Sequence, residues 1–288
     1  MNNSSSINMY QHTQTVMRKS FYLFAALLLV NCISAVAQSV SLSPSRVYYK
    51  ASPGETKKQV VHVTNNSEAK QSFTITFGDF SATGTDGKTQ IMKAGESEHS
   101  CSAYMSASPS FFELAPGSSQ DVEVIMDLPN LPEANKVKWG TMMLKLTKEK
   151  TEANTGTKDG VGMGILETFQ FVVHLFQTPP SVTLKQAEIQ DFKEIPVQND
   201  SIRTLALITM NTGETILDCA TYLEFSNLKT GYEHRTKPAA FTMLPGGGRQ
   251  MKFTVPRDLP KGIYTVTAVV DIGSKDAVQA AEMDIEIK

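Results

Sequence analysis

Alternation of apolar and polar residues in short runs is the feature that most restricts how this chain can fold. In DVEVIMDLP, the apolar residues Val122, Val124 and Met126 fall at every second position, and MKFTVP repeats the pattern at Met251 and Phe253. A period of two places these side chains on one face, so each run predicts a β-strand with one buried face. Similar runs follow one another from residue 40 onward, separated by Gly, Pro and Asn turn signals and without a convincing helical period. The sequence therefore predicts an all-β fold built from β-sandwiches.

Part of this pattern occurs twice along the chain. An apolar strand end, a Pro-Gly turn and an alternating strand occur around Pro116 and again around Pro245. VTNNSE and TMNTGE form a second pair, in which a strand ends at an Asn that enters a turn. Asn is suited to that place because its side chain can bond the nearby backbone. The repeats predict two related sandwiches in tandem.

The boundary between the two sandwiches is expected at a pair of prolines. A chain of 288 residues has room for two domains, each with its own core. Pro179 and Pro180 cannot continue a central strand and stiffen a hinge. We therefore expect residues 38–179 to form the first sandwich and residues 180–288 to form the second.

The first residues of the chain have the pattern of a secretory signal peptide. Arg18 and Lys19 precede the apolar run FYLFAALLLVNCISAVA, which ends in an A-x-A cleavage pattern. We expect residues 1–37 to be removed, and no later segment has the pattern of a transmembrane helix. Cys32 leaves a lipoprotein open as an alternative. Soluble export is favoured because Asn31 is a poor residue before a lipidated cysteine.

Composition and motifs argue against several classes of function. The net charge of −2 provides no broad basic field, so nucleic acid is not an expected partner. The motifs of serine hydrolases, zinc proteases and P-loop enzymes are missing, and the histidines are scattered without metal-site spacing. We therefore expect no enzyme activity, no cofactor and no metal. Cys101 and Cys219 fall one in each half, which predicts two buried free thiols.

Three local features each have two interpretations. Trp139 is expected to pack rather than to bind sugar, and His62 is expected to point outward from its strand rather than to act as a ligand. The polar, glycine-rich segment of residues 147–164 predicts a long mobile hairpin loop. The alternative for this segment is a loop that becomes ordered when a partner binds.

Several segments of the first half resemble the periplasmic pilus chaperones of the chaperone–usher pathway. SRVYYKASPGETKKQVVHVTNNS resembles their first two strands, with an arginine, an aliphatic residue and a tyrosine before a turn and a strand that ends in Thr-Asn-Asn. SPSFFELAPGSSQDVEVIMDLPNLPEANKVKWGTMMLKLT resembles their next block, and FQFVVHLFQTPP resembles their long last strand. The resemblance covers about residues 40–180 and implies an immunoglobulin-like sandwich.

The resemblance also implies a binding site. In that family, an arginine of the first strand and a lysine of the last strand hold the C-terminal carboxylate of a subunit, and the last strand completes the subunit's sheet. Arg46 stands at the arginine position and His174 at the lysine position. The apolar residues of the last strand that would contact the partner are Ile165, Phe169 and Phe171. The alternative for Arg46 is a solvated strand residue with a packed aliphatic stem.

The second half resembles a different group of proteins. LITMNTGETILDCATYLEF and the strands that follow it resemble the second domain of bacterial surface proteins that bind WxL-type wall proteins. Those proteins end in a transmembrane helix, whereas this sequence ends at Lys288 in a strand. We therefore expect the periplasm or the outer surface of a Gram-negative cell. The expected function is to bind an extracytoplasmic protein, such as a pilus-like subunit, during surface assembly; the alternative is a peptidoglycan- or carbohydrate-binding module.

Overall fold

A computed structural model describes residues 40–82, 84–147, 169–195, 202–274 and 278–288. Nearly all regular structure in these residues is β-strand, and two short 3-10 helices cover Ser102–Tyr104 and Pro132–Asn135. The first strands are β1 (Val40–Ser43), β2 (Arg46–Tyr49), β3 (Thr56–Asn65), β4 (Gln71–Ser81), β5 (Gln90–Met92), β6 (Met105–Ser108), β7 (Phe111–Leu114), β8 (Ser119–Asp127), β9 (Lys138–Thr147) and β10 (Gln170–Gln177). The later strands are β11 (Ala187–Ile195), β12 (Thr204–Asn211), β13 (Leu217–Asn227), β14 (Tyr232–Arg235), β15 (Ala239–Met243), β16 (Gly248–Thr254), β17 (Gly262–Asp271) and β18 (Val278–Ile287). The prediction of an all-β fold is confirmed.

Strands β1 to β10 form a sandwich of two sheets. One sheet has the order β1-β3-β8-β6, and the other has the order β2-β10-β9-β4-β5 with β7 also paired to β4. The chain passes from one sheet to the other between β1 and β2, at Pro44. Alternate residues of both sheets turn inward and form one apolar core, which includes Val61, Val124, Leu144 and Leu175. The period-two pattern of the sequence therefore produces this buried layer.

Strands β11 to β18 form a second sandwich. Its sheets have the orders β11-β12-β16 and β14-β13-β17-β18, with β15 also paired to β13. Their inward residues form a second core, which includes Leu207, Phe225 and Tyr264. The prolines at positions 179 and 180 fall between β10 and β11. The exact division into residues 38–179 and 180–288 stays a prediction.

Asn65, the first of the two repeated asparagines, holds the end of β3 through hydrogen bonds. Asn65 is fully buried, and its Nδ2 donates to the carbonyl oxygens of Ala69 and Leu114 at 2.8 and 3.0 Å. Its Oδ1 accepts from the backbone N–H of Ser67 at 3.0 Å. The backbone N–H of Gly117 donates to the Asn65 carbonyl at 2.8 Å, from a turn in which Gly117 has a φ of 70°. Asn65 thus connects a strand end and its own turn through its side chain, and the Pro-Gly turn through its backbone carbonyl.

The second asparagine makes equivalent contacts at the end of β12. Asn211 Nδ2 donates to the carbonyl oxygens of Thr215 and Met243 at 2.9 and 3.2 Å, and its Oδ1 accepts from the Gly213 N–H at 3.0 Å. The N–H of Gly246, with a φ of 71°, donates to the Asn211 carbonyl at 3.1 Å. The repeat in the sequence therefore corresponds to a repeated three-dimensional motif.

Several sequence-based expectations concern residues outside the described ranges. The leader of residues 1–37 with Cys32, the segment of residues 148–164 and Ile165 all lie there. Cys101 and Cys219 are described, and both are buried free thiols, as predicted. No helix among the described residues is long and apolar enough to cross a membrane.

Candidate functional site

The candidate site is a cleft between the two sandwiches, and its first wall is the outer face of β2 and β10. These strands pair in parallel, so that His174 lies opposite Arg46 and Phe176 lies opposite Tyr48. Residues paired across neighbouring strands project from the same face of a sheet. The resemblance implied a joint role for Arg46 and His174, and the structure brings these two residues together.

An apolar cluster at the base of the cleft joins the sandwiches. Phe80, Val137, Trp139 and Phe176 of the first sandwich pack with Leu244 of the second. Trp139 is only 6% exposed, and its Nε1 donates to the Phe80 carbonyl at 3.0 Å. The indole is therefore a packing residue with its polar atom satisfied, as the sequence predicted.

Arg46 reaches across the cleft to the second sandwich. Its Nη1 donates to Thr242 Oγ1 at 3.2 Å, and Thr242 Oγ1 in turn donates to Asp218 Oδ1 at 3.0 Å. Arg46, Thr242 and Asp218 line a cavity of about 400 Å³ together with Arg249. The Asp218 carboxylate is connected to Arg46 through the Thr242 hydroxyl that lies between them. The guanidinium thus lies at the cavity wall, and a guanidinium can in general form paired hydrogen bonds to a carboxylate.

Arg249 places a second guanidinium in this cavity. Its Nη2 donates to the Thr242 carbonyl at 3.1 Å. The guanidinium packs on Gly87 of the first sandwich, where an added Cβ would lie 1.1 Å from Arg249 Nη1. Gly87 also has a φ of 72°, so both the backbone and the close contact favour glycine there. Beside it, the Gln250 N–H donates to the Thr85 carbonyl and connects the two sandwiches.

The surroundings of His174 disfavour its charged form in the folded protein. Its ring is partly buried, meets Phe80 edge to face at a centroid distance of 4.8 Å and lies beside Phe176. Burial, and then the charge of Arg46, lower the pKa of His174 below its ordinary value. Nε2 is buried and has no hydrogen-bond partner among the described residues. The resemblance placed His174 at the position of a charged lysine; near neutral pH, this imidazole supplies no second charge, and Arg46 carries the charge of the pair.

Among the described strands, β10 is paired along only part of one of its edges. It pairs with β9 from Gln170 to Gln177, but with β2 only from His174 onward. The His174 N–H donates to Ser45 on the β2 side, whereas the Phe169 carbonyl accepts from Leu146 on the β9 side. Because strand polar groups alternate in direction, those of Gln170 and of residue 172 point to the β2 side. Among the described strands, none pairs with this half of the edge.

The two phenylalanines of the predicted contact row differ in burial. Phe171 packs partly against the core of its own sandwich. Phe169 comes just before β10 and is 49% exposed. Of these two side chains, Phe169 is therefore the more exposed.

Sequence reasoning missed the part of the cleft that comes from the second sandwich. Thr242, Asp218 and Arg249 come from three different strands of that sandwich. Only the first sandwich offered a sequence signal for the cleft. In β2, Arg46 and Tyr48 are two residues apart and therefore lie on the same outward face. Among the described residues, no group of His, Cys, Asp and Glu could hold a metal ion.

Comparison with known proteins finds similarity only among solved structures. No family model matches the chain, and no curated protein matches it. The E. coli chaperone DraB is 15% identical over 86% of this chain and 98% of its own, with a TM-score of 0.40. The class 5 fimbriae chaperone CfaA is 11% identical over 86% of this chain and 99% of its own, with a TM-score of 0.43. A chain from the Salmonella enterica complex of the SafA pilin and the SafB chaperone is 12% identical over 87% of this chain and 99% of its own, with a TM-score of 0.40. At this level of similarity, no function is carried over to this chain.

Proposed function

We propose that this chain is an exported, non-enzymatic binding protein that holds an extracytoplasmic polypeptide in the cleft between its sandwiches. It would act as a chaperone or as a structural component during assembly of envelope or surface proteins. The observation that carries this proposal is the register of Arg46 with His174, which sets a guanidinium at the cleft wall beside the uncovered edge of β10. The signal-peptide pattern of residues 1–37 supports a place of action outside the cytoplasm.

The proposed binding mode uses both features at once. A strand of the partner pairs with the polar groups of β10 around Gln170, which adds a strand to the sheet. A carboxylate of the same partner binds Arg46, which can form two parallel charge-assisted hydrogen bonds to it. The backbone pairing supplies affinity that is independent of sequence, and the guanidinium fixes the register of the partner strand. The partner class that fits is a polypeptide with an unpaired strand, such as a pilus-like subunit.

A carbohydrate or peptidoglycan module is the second candidate, and the cleft offers it less. A sugar platform needs exposed aromatic faces, and Tyr48, at 45% exposed, is the one open aromatic ring on this wall among the described residues. Its ring stacks on Phe176 at a centroid distance of 5.1 Å, and Phe176 itself is buried. Trp139 is enclosed by the apolar cluster. A charged cleft beside an open strand edge fits a polypeptide better than a glycan.

The experiment is capture of partners from an envelope fraction by the purified mature protein. Arg46→Gln keeps a polar side chain that can donate hydrogen bonds but removes the guanidinium and its charge, and we expect it to recover at least tenfold less partner. Arg257→Gln is the matched control, because Arg257 is an exposed arginine that does not line this cavity. Co-sedimentation with insoluble peptidoglycan is measured in parallel. Undiminished partner recovery by Arg46→Gln, or recovery only with peptidoglycan, would contradict the proposal.

A further inference from the structure

The cleft continues past Arg46 into a second cavity of about 480 Å³. Tyr48 and Lys50 line it from the first sandwich, and Lys185 and Asp218 line it from the other side. Asp218 also lines the cavity that contains Arg46, so the two cavities are neighbours. The wall of the cleft is therefore longer than the Arg46 site alone.

Strand geometry sets the spacing along this wall. Arg46, Tyr48 and Lys50 are alternate, exposed residues at and just beyond β2. With a rise of about 3.3 Å per residue, the backbones of Arg46 and Lys50 lie about 13 Å apart along the strand. An extended ligand chain covers the same distance in about four residues, and its residues i and i+4 face the same side. Positive groups on the wall therefore match every fourth residue of an extended partner.

The charges of the two cavities are mostly positive. Arg46 and Arg249 line the first cavity, and Lys50 and Lys185 line the second, whereas Asp218 is the one acidic residue among the described residues that line either cavity. Lys185 is held in place by donating from Nζ to the Gly273 carbonyl at 2.7 Å. A net positive surface that is partly removed from water attracts an anionic ligand.

The position of Asp218 restricts the kind of anion that fits. It borders both cavities and therefore lies between the Arg46 site and the lysines. A continuous polyanion would bring negative charge against this carboxylate, which is unfavourable. Separate carboxylates joined by neutral residues avoid that repulsion. The exposed ring of Tyr48 can pack against the neutral residues between them.

We infer that the cleft selects an extended acidic segment of the polypeptide partner, with two carboxylates four residues apart. Arg46 binds the first carboxylate, and Lys50 with Lys185 binds the second. Asp218 disfavours an acidic residue at the positions between. The inference rests on the proposed function, and it adds the class of sequence that the cleft recognises.

The test is calorimetric titration of the full mature protein with ten-residue peptides that carry acetyl and amide caps. One peptide has two Glu residues four apart, one has them two apart, two have a single Glu, and one has none. We expect the four-apart peptide to bind about fivefold tighter than either single-Glu peptide, a gain expected for one partly exposed charge contact. The two-apart peptide should bind no tighter than a single-Glu peptide, and added salt should reduce the difference.

Variants assign the second carboxylate to its site. Lys50→Gln should remove the fivefold gain, whereas Lys261→Gln, which changes an exposed lysine elsewhere, should keep it. Asp218→Asn should strengthen binding of the two-apart peptide, because it removes the repelling charge. Thermal unfolding of Lys50→Gln should match that of the parent, since the side chain is exposed.

The outcomes separate this inference from the proposed function. Equal affinity for the four-apart and two-apart peptides, an unchanged gain in Lys50→Gln, or no binding by any peptide overturns the acidic-segment inference. If the peptides give one of these results but Arg46→Gln captures less of the natural partner than the parent, the acidic-segment inference fails and the proposed function stands. If Arg46→Gln captures as much partner as the parent, the proposed function itself fails.

Discussion

At the scale of single residues, Asn65 and Asn211 show how much structure one polar side chain can organise. Each is buried and hydrogen-bonds to backbone groups of its own turn and of a neighbouring strand end. The sequence predicted turns at both places because Asn favours them. It did not predict that the two asparagines would make the same contacts to two Pro-Gly turns that follow at different distances along the chain.

Replacing these asparagines should destabilise the fold. Asn65→Ala and Asn211→Ala each leave buried carbonyl and N–H groups without partners, so each should lower the free energy of unfolding by about 2–3 kcal/mol. Asn66→Ala is the matched control, because Asn66 is exposed and the change should stay within about 0.5 kcal/mol. Chemical denaturation measures all three. Equal stabilities of Asn65→Ala and Asn66→Ala would show that the buried amide contributes little.

His174 should make stability depend on pH in a defined direction. Its pKa in the folded protein is lowered from 6.5, by burial first and then by Arg46, so the unfolded chain takes up this proton at a higher pH than the folded one. Above the unfolded pKa both states are neutral and the effect is absent. As the pH falls below about 6.5, protons favour the unfolded state, and stability is lost until the folded state also protonates.

The measurement compares the parent with His174→Phe by denaturant titration at several pH values between 7.5 and 5. We expect the parent to lose more of its free energy of unfolding on acidification than His174→Phe does. The other histidines are common to both proteins, so their contributions cancel in the comparison. An identical loss in the two proteins would contradict the lowered pKa.

The sequence indicated the residues that the first sandwich contributes to the site better than those that the second sandwich contributes. Arg46 stood out because it precedes a turn in a strand that resembles a known pattern. Thr242 lies 196 residues from Arg46 along the chain, so no local pattern could indicate their hydrogen bond. Long-range pairs of this kind depend on how the two sandwiches pack, which sequence periodicity does not encode.

At the scale of elements, β10 combines a structural and a proposed binding role. The resemblance of FQFVVHLFQTPP to the last strand of the pilus chaperones predicted a strand here, and its buried residues include Leu175. Sequence periodicity alone did not indicate that half of its edge is unpaired among the described strands, because this depends on the short extent of β2. A partner strand could pair there without displacing any strand of the described fold.

A proline in the uncovered half of β10 should separate binding from folding. Gln170→Pro removes an N–H that points to the open edge and changes the first residue of the strand, where proline is tolerated. We expect capture of the natural partner to fall at least tenfold, with little change in thermal unfolding. Gln170→Ala keeps the N–H and should capture normally. Equal capture by the two variants would argue against strand addition at this edge.

At the scale of the whole molecule, the repeats predicted the two related sandwiches but not their arrangement. An apolar contact between the two halves of the chain sets this arrangement. It is formed by Phe80, Trp139 and Phe176 of the first sandwich and Leu244 of the second. In the sequence, Phe80, Phe176 and Leu244 appear as ordinary apolar residues, and Trp139 was expected to pack without any indication of its neighbours. The resemblance of the second half to WxL-interacting surface proteins stays a prediction, as does export by the leader.

The most direct test of the central claim is photo-crosslinking in intact cells, with a photoreactive residue at the position of Tyr48 on the cleft wall. The control places the same residue at Ile263, which is 69% exposed on β17. We predict that the cleft position traps an extracytoplasmic polypeptide, that Arg46→Gln abolishes the trapping, and that position 263 traps none. Trapping at both positions alike, or no polypeptide at the cleft position, would contradict a polypeptide-binding cleft between the sandwiches.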